Sequence, residues 1–150
     1  MNLVIKRDDQ LGPDALKMID ESEVEQAALY RPEHRTAFSP EQLIDGKVRF
    51  LVAYIDDQAV GCGGVAPLSG FAELKRIFVT RSARGQGIAG KIFTALEAEA
   101  KSLGFNLVRL ETGTASPEAI RAYEKSGYDR IGPFGGYVEN SSSVFMEKNI

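Results

Sequence analysis

The sequence predicts an α/β protein, a mixed and twisted sheet with helices on its faces. Short runs rich in Val, Ile, Leu and Phe alternate with stretches whose apolar residues recur at helical spacing. Pro or Gly punctuates most junctions between them. The segments follow the order strand, helix, helix, adjacent strands, then strand–helix–strand–helix–strand–strand, which is a mixed sheet with helices packed against it. A chain of 150 residues fits one domain, residues 1–150, and buries a core without disulfides or metals.

Leu3 to Lys6 is a short apolar strand. Asp14 to Tyr30 follows Pro13 and reads as a helix, with Leu16, Ile19, Val24 and Ala27-Ala28 as a rough apolar stripe. Its early acids suit a helix start. Ser39-Pro40-Glu41-Gln42 opens a second, short helix ending near Gly46. Ser39 can cap it, Pro40 fits its first position and Gln42 can close the box. Arg49–Ile55 and Ala59–Val65 form a hairpin around Asp56-Asp57-Gln58. Pro67 to Gly70 turns the chain into a strand at Glu73–Val79. A glycine-rich turn, Arg84–Gly90, opens a helix in which Ile88, Ile92, Phe93, Leu96, Ala100 and Leu103 share a face up to Gly104. Leu107–Glu111 is a strand. Ser116-Pro117-Glu118 starts a last helix, which Gly127 ends. Tyr128–Ile131 and Ser143–Glu147 are the final strands.

Composition removes several classes of function. Apolar residues make up 43%, charged residues 26%, and the net charge is −3, an ordinary globular profile with no basic surplus for nucleic acid. The single Cys62 excludes an internal disulfide framework and reads as a small buried hydrophobe. One histidine, His34, and the absence of zinc-type spacing argue for no metal. The first residues turn charged too soon for a signal peptide, and no stretch approaches a membrane span. A cytoplasmic protein is expected, with no membrane partner.

The strongest chemical signal is Arg84-Gly85-Gln86-Gly87-Ile88-Ala89-Gly90. A helix start leaves its first N–H groups unpaired, and the helix dipole favours negative charge there. Glycines let a phosphate approach the backbone closely, and Arg84 adds a formal charge at the rim. The turn is therefore expected to cradle a pyrophosphate. As Gly85-x-Gly87-x-x-Gly90, with Glu111 ending the next strand, it fits a dinucleotide fingerprint. In that fold, however, the strand runs directly into the first glycine. Here Thr80 to Arg84 intervenes, and too few residues follow Glu111 for the further strand–helix units.

Read as Arg84-x-x-Gly87-x-Ala89, the turn resembles the acetyl-CoA motif of the GCN5-related N-acetyltransferases (GNAT). That motif is Gln or Arg, two residues, Gly, one residue, then Gly or Ala. The resemblance extends over about Arg49 to Glu147. It includes Glu73–Val79, similar to the family's fourth strand, and Ala119–Tyr128, similar to the late helix that carries its tyrosine.

The resemblance implies a six- to seven-stranded sheet splayed between strands 4 and 5, with acetyl-CoA in the gap as acyl donor. It places the pantetheine arm along the main chain of Ile77, Phe78 and Val79, with the Val79 N–H as oxyanion donor. Ser116 stands where the family often has a CoA-contacting Asn; here it also suits a helix cap. The acceptor is an amine of a small molecule or a protein amino group. Such an amine must lose a proton to attack, and on the order of one in a thousand alkylamines is neutral at pH 7. A base helps supply that form, and both Glu73 and Glu111 are candidates. Tyr123 matches the family's general acid; by periodicity alone it would be a core aromatic beside Ile120. Tyr30, His34, Phe134 and Tyr137 are candidate linings of the acceptor pocket, and a homodimer is common in such families. No metal and no covalent enzyme intermediate are required. A CoA-binding sensor that has lost catalysis is the alternative from another class.

Overall fold

A computed structural model describes residues 2–34 and 39–150, with the side chain of His34 outside the described part. The expected strands and helices are all present and differ from expectation by a residue or two at their ends. The strands are β1 (Leu3–Arg7), β2 (Arg49–Ile55), β3 (Gln58–Pro67), β4 (Ala72–Val79), β5 (Leu107–Gly113), β6 (Asp129–Ile131) and β7 (Ser143–Asn149). The helices are α1 (Pro13–Leu29), α2 (Pro40–Asp45), α3 (Ile88–Ser102) and α4 (Pro117–Lys125). The polar spacer before the glycine turn is a 3-10 turn, Arg81–Ala83.

The strands form one seven-stranded sheet in the order β1-β2-β3-β4-β5-β7-β6. Every neighbouring pair is antiparallel except β4 with β5. The β2–β3 hairpin closes through Asp56 and Asp57, both left-handed at φ 49° and 67°. Two such residues in a row make the turn whose twist matches the flanking strands, and Asp tolerates that conformation better than most side chains. Gln58, expected in the turn, is the first residue of β3.

Helices cover both faces, so β2 and β3 read as nearly continuous apolar runs. Along β2, Leu51 and Ala53 face Ile92, Phe93 and Leu96 of α3, while Phe50 and Val52 face Ala15, Met18 and Ile19 of α1. Cys62 lies in the α1 layer, fully buried, and burial pushes its thiol up to about 12. Ser39 caps α2 as expected, its Oγ accepting from Gln42 N at 3.3 Å. No described helix is long and apolar enough to cross a membrane.

Two irregularities shape the middle of the sheet. β4 and β5 are registered only at Ala72–Val108 and Glu73–Arg109. Beyond those pairs the strands part, although β4 runs on to Val79 and β5 to Gly113. β4 is also bulged: Cys62 pairs with Phe78 and Gly64 with Lys75, so Arg76 and Ile77 together oppose Gly63. Arg76 takes φ 56°, a left-handed torsion unusual for a long side chain, and the bulge re-aims the rest of the strand.

Candidate active site

The parting of β4 and β5 opens a cavity of about 690 Å³. Ile77, Phe78 and Val79 line it from β4, and Tyr123 and Ser116 from the α4 side. The glycine turn closes one end through Arg84, Gly85, Gly87, Ile88, Ala89 and Gly90. Gln86 is absent from that lining, and its side chain turns back to donate to Ala83 O at 3.3 Å. Gly85 and Gly87 stand at φ 82° and 78°, and Gly87 is the N-cap of α3. A Cβ at either would meet nothing within 4 Å. Glycine is demanded there by the torsion, and what it leaves is open access to the helix N-terminus.

Val79 presents its main chain to this gap. The next residue, Thr80, donates its N–H to Val60 O at 2.8 Å, toward β3. Alternation along a strand therefore turns the Val79 N–H and C=O the other way. The carbonyl is met there by Arg84 Nε at 2.9 Å. Arg84 is not a bare cation at the rim: its Nη2 pairs with Glu25 of α1 at 2.7 Å, and Arg81 shares that carboxylate at 3.3 Å. Among the described residues the wall holds three cations, Arg81, Arg84 and Lys125, against two carboxylates, Glu25 and Glu118.

A second cavity, about 360 Å³, lies on the other side of the splay. Glu73 and Glu111 both line it. The solvated strand end that sequence alone would allow for Glu73 is excluded by its 4% exposure. Its Oε2 accepts from the Tyr137 hydroxyl at 2.6 Å and lies 3.5 Å from Lys75 Nζ. Glu111 accepts from Ser143 Oγ at 2.8 Å. Burial holds the Glu111 carboxyl above the usual range and the charge of Glu73 adds to this, while Ser143 and Lys75 oppose it. Arg76 pairs with Glu23 in the same wall.

The two cavities share Gln26, Ile77, Thr112, Ser116 and Tyr123. Tyr30 builds part of this partition. Its hydroxyl accepts from Ala115 N at 2.9 Å and lies 3.1 Å from Ser116 Oγ. Ser116 is the N-cap of α4 by position, but its side chain makes no cap bond. The expected cap is corrected: the hydroxyl is drawn to Tyr30 instead. Gly113 accommodates the arrangement, because a Cβ there would fall 1.8 Å from the Tyr30 oxygen.

Comparison with known proteins gives this architecture a family. The profile described as "Acetyltransferase (GNAT) family" matches residues 16–128. The chain belongs to the GNAT family. An Azospirillum brasilense protein named IAA acetyltransferase is 35% identical over 98% of this chain and 97% of its own length. A Klebsiella pneumoniae structure assigned to the acyl-CoA N-acyltransferases is 30% identical, with a TM-score of 0.82 over 98% of this chain and 97% of that one. The paia N-acetyltransferase of Thermoplasma acidophilum, solved with coenzyme A, shares the fold at a TM-score of 0.76 and 21% identity, covering 100% of both chains. The GNAT protein described here is thus an N-acetyltransferase of the acyl-CoA N-acyltransferase fold, an enzyme class that acts on amine acceptors.

Tyr123 lines both cavities. It is 5% exposed, stacks on Phe93 at 4.6 Å and 18°, and meets Tyr128 edge-on at 5.7 Å. Its hydroxyl makes no hydrogen bond among the described residues. Burial, then the charge of Glu111, pushes its ionisation well above the ordinary phenol value, so at neutral pH it holds its proton. Tyr128 is itself fixed by Glu97 at 2.8 Å, and Lys148 holds that carboxylate at 2.9 Å. Of the expected pocket residues, Tyr30 and Tyr137 line the second cavity. Phe134 packs instead into an aromatic cluster with Phe71 and Phe145, and the side chain of His34 lies outside the described residues. Sequence reasoning missed Glu23, Glu25 and Ser143. The two acids lie on a helix, and nothing local marks their partners far along the chain.

Proposed function

We propose that residues 1–150 form one N-acetyltransferase domain that moves the acetyl group of acetyl-CoA directly onto a primary amine of a small molecule or protein. One observation carries the reading. The two cavities meet at Tyr123 and have opposite charge surpluses among the described residues, one cation on the glycine-turn side and one carboxylate on the Glu111 side. The first suits the phosphates of CoA at a helix N-terminus; the second suits an ammonium group. The Thermoplasma relative of the same fold, solved with coenzyme A, supports the choice of donor.

The chemistry then divides among this chain's residues. Glu111 receives the ammonium and takes its proton, its raised carboxyl being a better base than an ordinary one. The Val79 N–H, turned into the gap, donates to the oxyanion as the amine nitrogen bonds to the acetyl carbon. As the C–S bond breaks, Tyr123 gives its proton to the departing thiolate; the acylated nitrogen and Glu111 each release a proton to solvent, and solvent returns one to Tyr123. Glu73, clamped by Tyr137 and Lys75, helps set the field around Glu111. Ile77 and Phe78 run beside the pantetheine arm, and the turn from Arg84 to Gly90 faces the pyrophosphate, with Gln86 bracing it from behind.

The test is thiol release from acetyl-CoA across a panel of amines, with acetyl-CoA binding measured beside it by calorimetry. Turnover with an amine class is the expected result. Binding without turnover on any acceptor would favour the sensor, and tighter binding of NADH than of acetyl-CoA would overturn the donor assignment.

A further inference from the structure

Among the described residues the wall of the second cavity holds three carboxylates, Glu23, Glu73 and Glu111, and two cations, Lys75 and Arg76. Both cations are engaged. Arg76 pairs with Glu23, and Lys75 Nζ lies 3.5 Å from Glu73. The hydrogen-bond partner of Glu111 is the neutral hydroxyl of Ser143, at 2.8 Å. One partly buried carboxylate therefore has no cation paired to it in the wall. Beside it the unpartnered Tyr123 hydroxyl, on a side chain only 5% exposed, opens on the same space. The rest of the wall offers no further charge among the described residues: Leu43, Val48, Ala66 and Leu68 are apolar, and Tyr30 and Tyr137 contribute rings.

Building on the acetyl-transfer reading, we infer that the acceptor is a small monoamine with an uncharged body, its one ammonium lodged on Glu111. The cavity's volume of about 360 Å³ suits a small molecule. A second ammonium would be stripped of water with no carboxylate to receive it except by breaking an existing ion pair. Among the described residues, a carboxylate on the acceptor would meet two engaged cations and an anionic surplus. Polyamines and amino acids are thereby disfavoured on the same count of charge.

Butylamine, putrescine and gamma-aminobutyrate have equal chain length and differ at the far end in being apolar, cationic or anionic. Each is assayed by thiol release and by calorimetry on the CoA-saturated protein. Butylamine is expected to exceed the other two in kcat/KM by about tenfold or more, the scale of an unpaired desolvated charge. Lys75→Gln releases Glu73 and raises the surplus to two carboxylates, so it is expected to shift the ratio toward putrescine by about tenfold. Lys75 is 34% exposed, which favours folding of the variant. A wild type that prefers putrescine or gamma-aminobutyrate overturns the inference, and so does a ratio that Lys75→Gln leaves unmoved. Failure of all three to bind or react overturns it as well. Turnover with some other amine would then leave acetyl transfer standing, whereas silence across the wider panel, with acetyl-CoA still bound, would remove both.

Discussion

Tyr123→Phe is expected to cost turnover without costing stability. The substitution keeps the ring, with its stack on Phe93 at 4.6 Å and its edge contact to Tyr128 at 5.7 Å, and deletes only the hydroxyl. That hydroxyl is buried and unpartnered among the described residues. An unsatisfied buried polar group costs about 1–3 kcal/mol, part of which the adjoining cavity returns as hydration. The variant should therefore be as stable as the parent or up to about 1 kcal/mol more so, a rise in Tm of roughly 2–4 °C for a chain of this size. Loss of a general acid lowers turnover about 10²–10⁴-fold, equivalent to roughly 3–5 kcal/mol of barrier. Thermal denaturation, thiol release under saturating substrates and acetyl-CoA calorimetry give the three readouts, the last expected unchanged. A variant with parental kcat would refute the acid role. One that loses several degrees of Tm along with its activity would instead mark the hydroxyl as a structural group.

Two further outcomes follow from the same geometry. As the proposed base Glu111 works ionised, and burial, then the charge of Glu73, raises its carboxyl, so kcat/KM should fall as pH drops through a value above the ordinary carboxylate one. Ser143→Ala removes a bond that favours ionisation and should move this acidic limb to higher pH, while Glu111→Gln should abolish it; a limb unchanged in Glu111→Gln would assign the base elsewhere. Gly113→Ala places a Cβ 1.8 Å from the Tyr30 oxygen and must expel it from Ala115 N and Ser116 Oγ, at a cost of about 2 kcal/mol for the two hydrogen bonds. Urea denaturation of Gly113→Ala, Tyr30→Ala and the double variant should give less than the sum of the singles, whereas strict additivity would show that the two sites do not share this contact.

What could be read in advance was what is encoded locally. Pro13, Pro40 and Pro117 each stand at the first position of a helix, and the apolar runs of β2 and β3 declare themselves because both faces of the sheet are covered. Arg84 through Gly90 marked the helix N-terminus at the end of the larger cavity because glycine at left-handed φ leaves a sequence trace. The bulge in β4 left none, since its left-handed residue is Arg76 rather than a glycine. Contacts between distant segments were equally silent. The Tyr30 hydroxyl diverts Ser116 from capping α4, Glu25 occupies Arg84, and Tyr137 reaches Glu73 from the loop before β7. Each joins residues more than fifty positions apart, and a polar side chain on a helix or loop looks the same whether it meets water or a partner. Glu73 and Glu111 were both legible as acids near the site, but their difference was not, because it lies in the neighbours that burial brings to each.

The two registered pairs that join β4 to β5 make the centre of the sheet its thinnest main-chain seam. On one side lie β1 to β4, on the other β5 to β7. A thioester whose amide groups hydrogen-bond along Ile77 to Val79 would act there as a splint, standing in for the stretch of neighbouring strand that the divergence removes. The reagent used up in each cycle would then also be a temporary part of the scaffold. Its departure would reopen the seam, so the fold's own integrity would rise and fall with the turnover of its substrate.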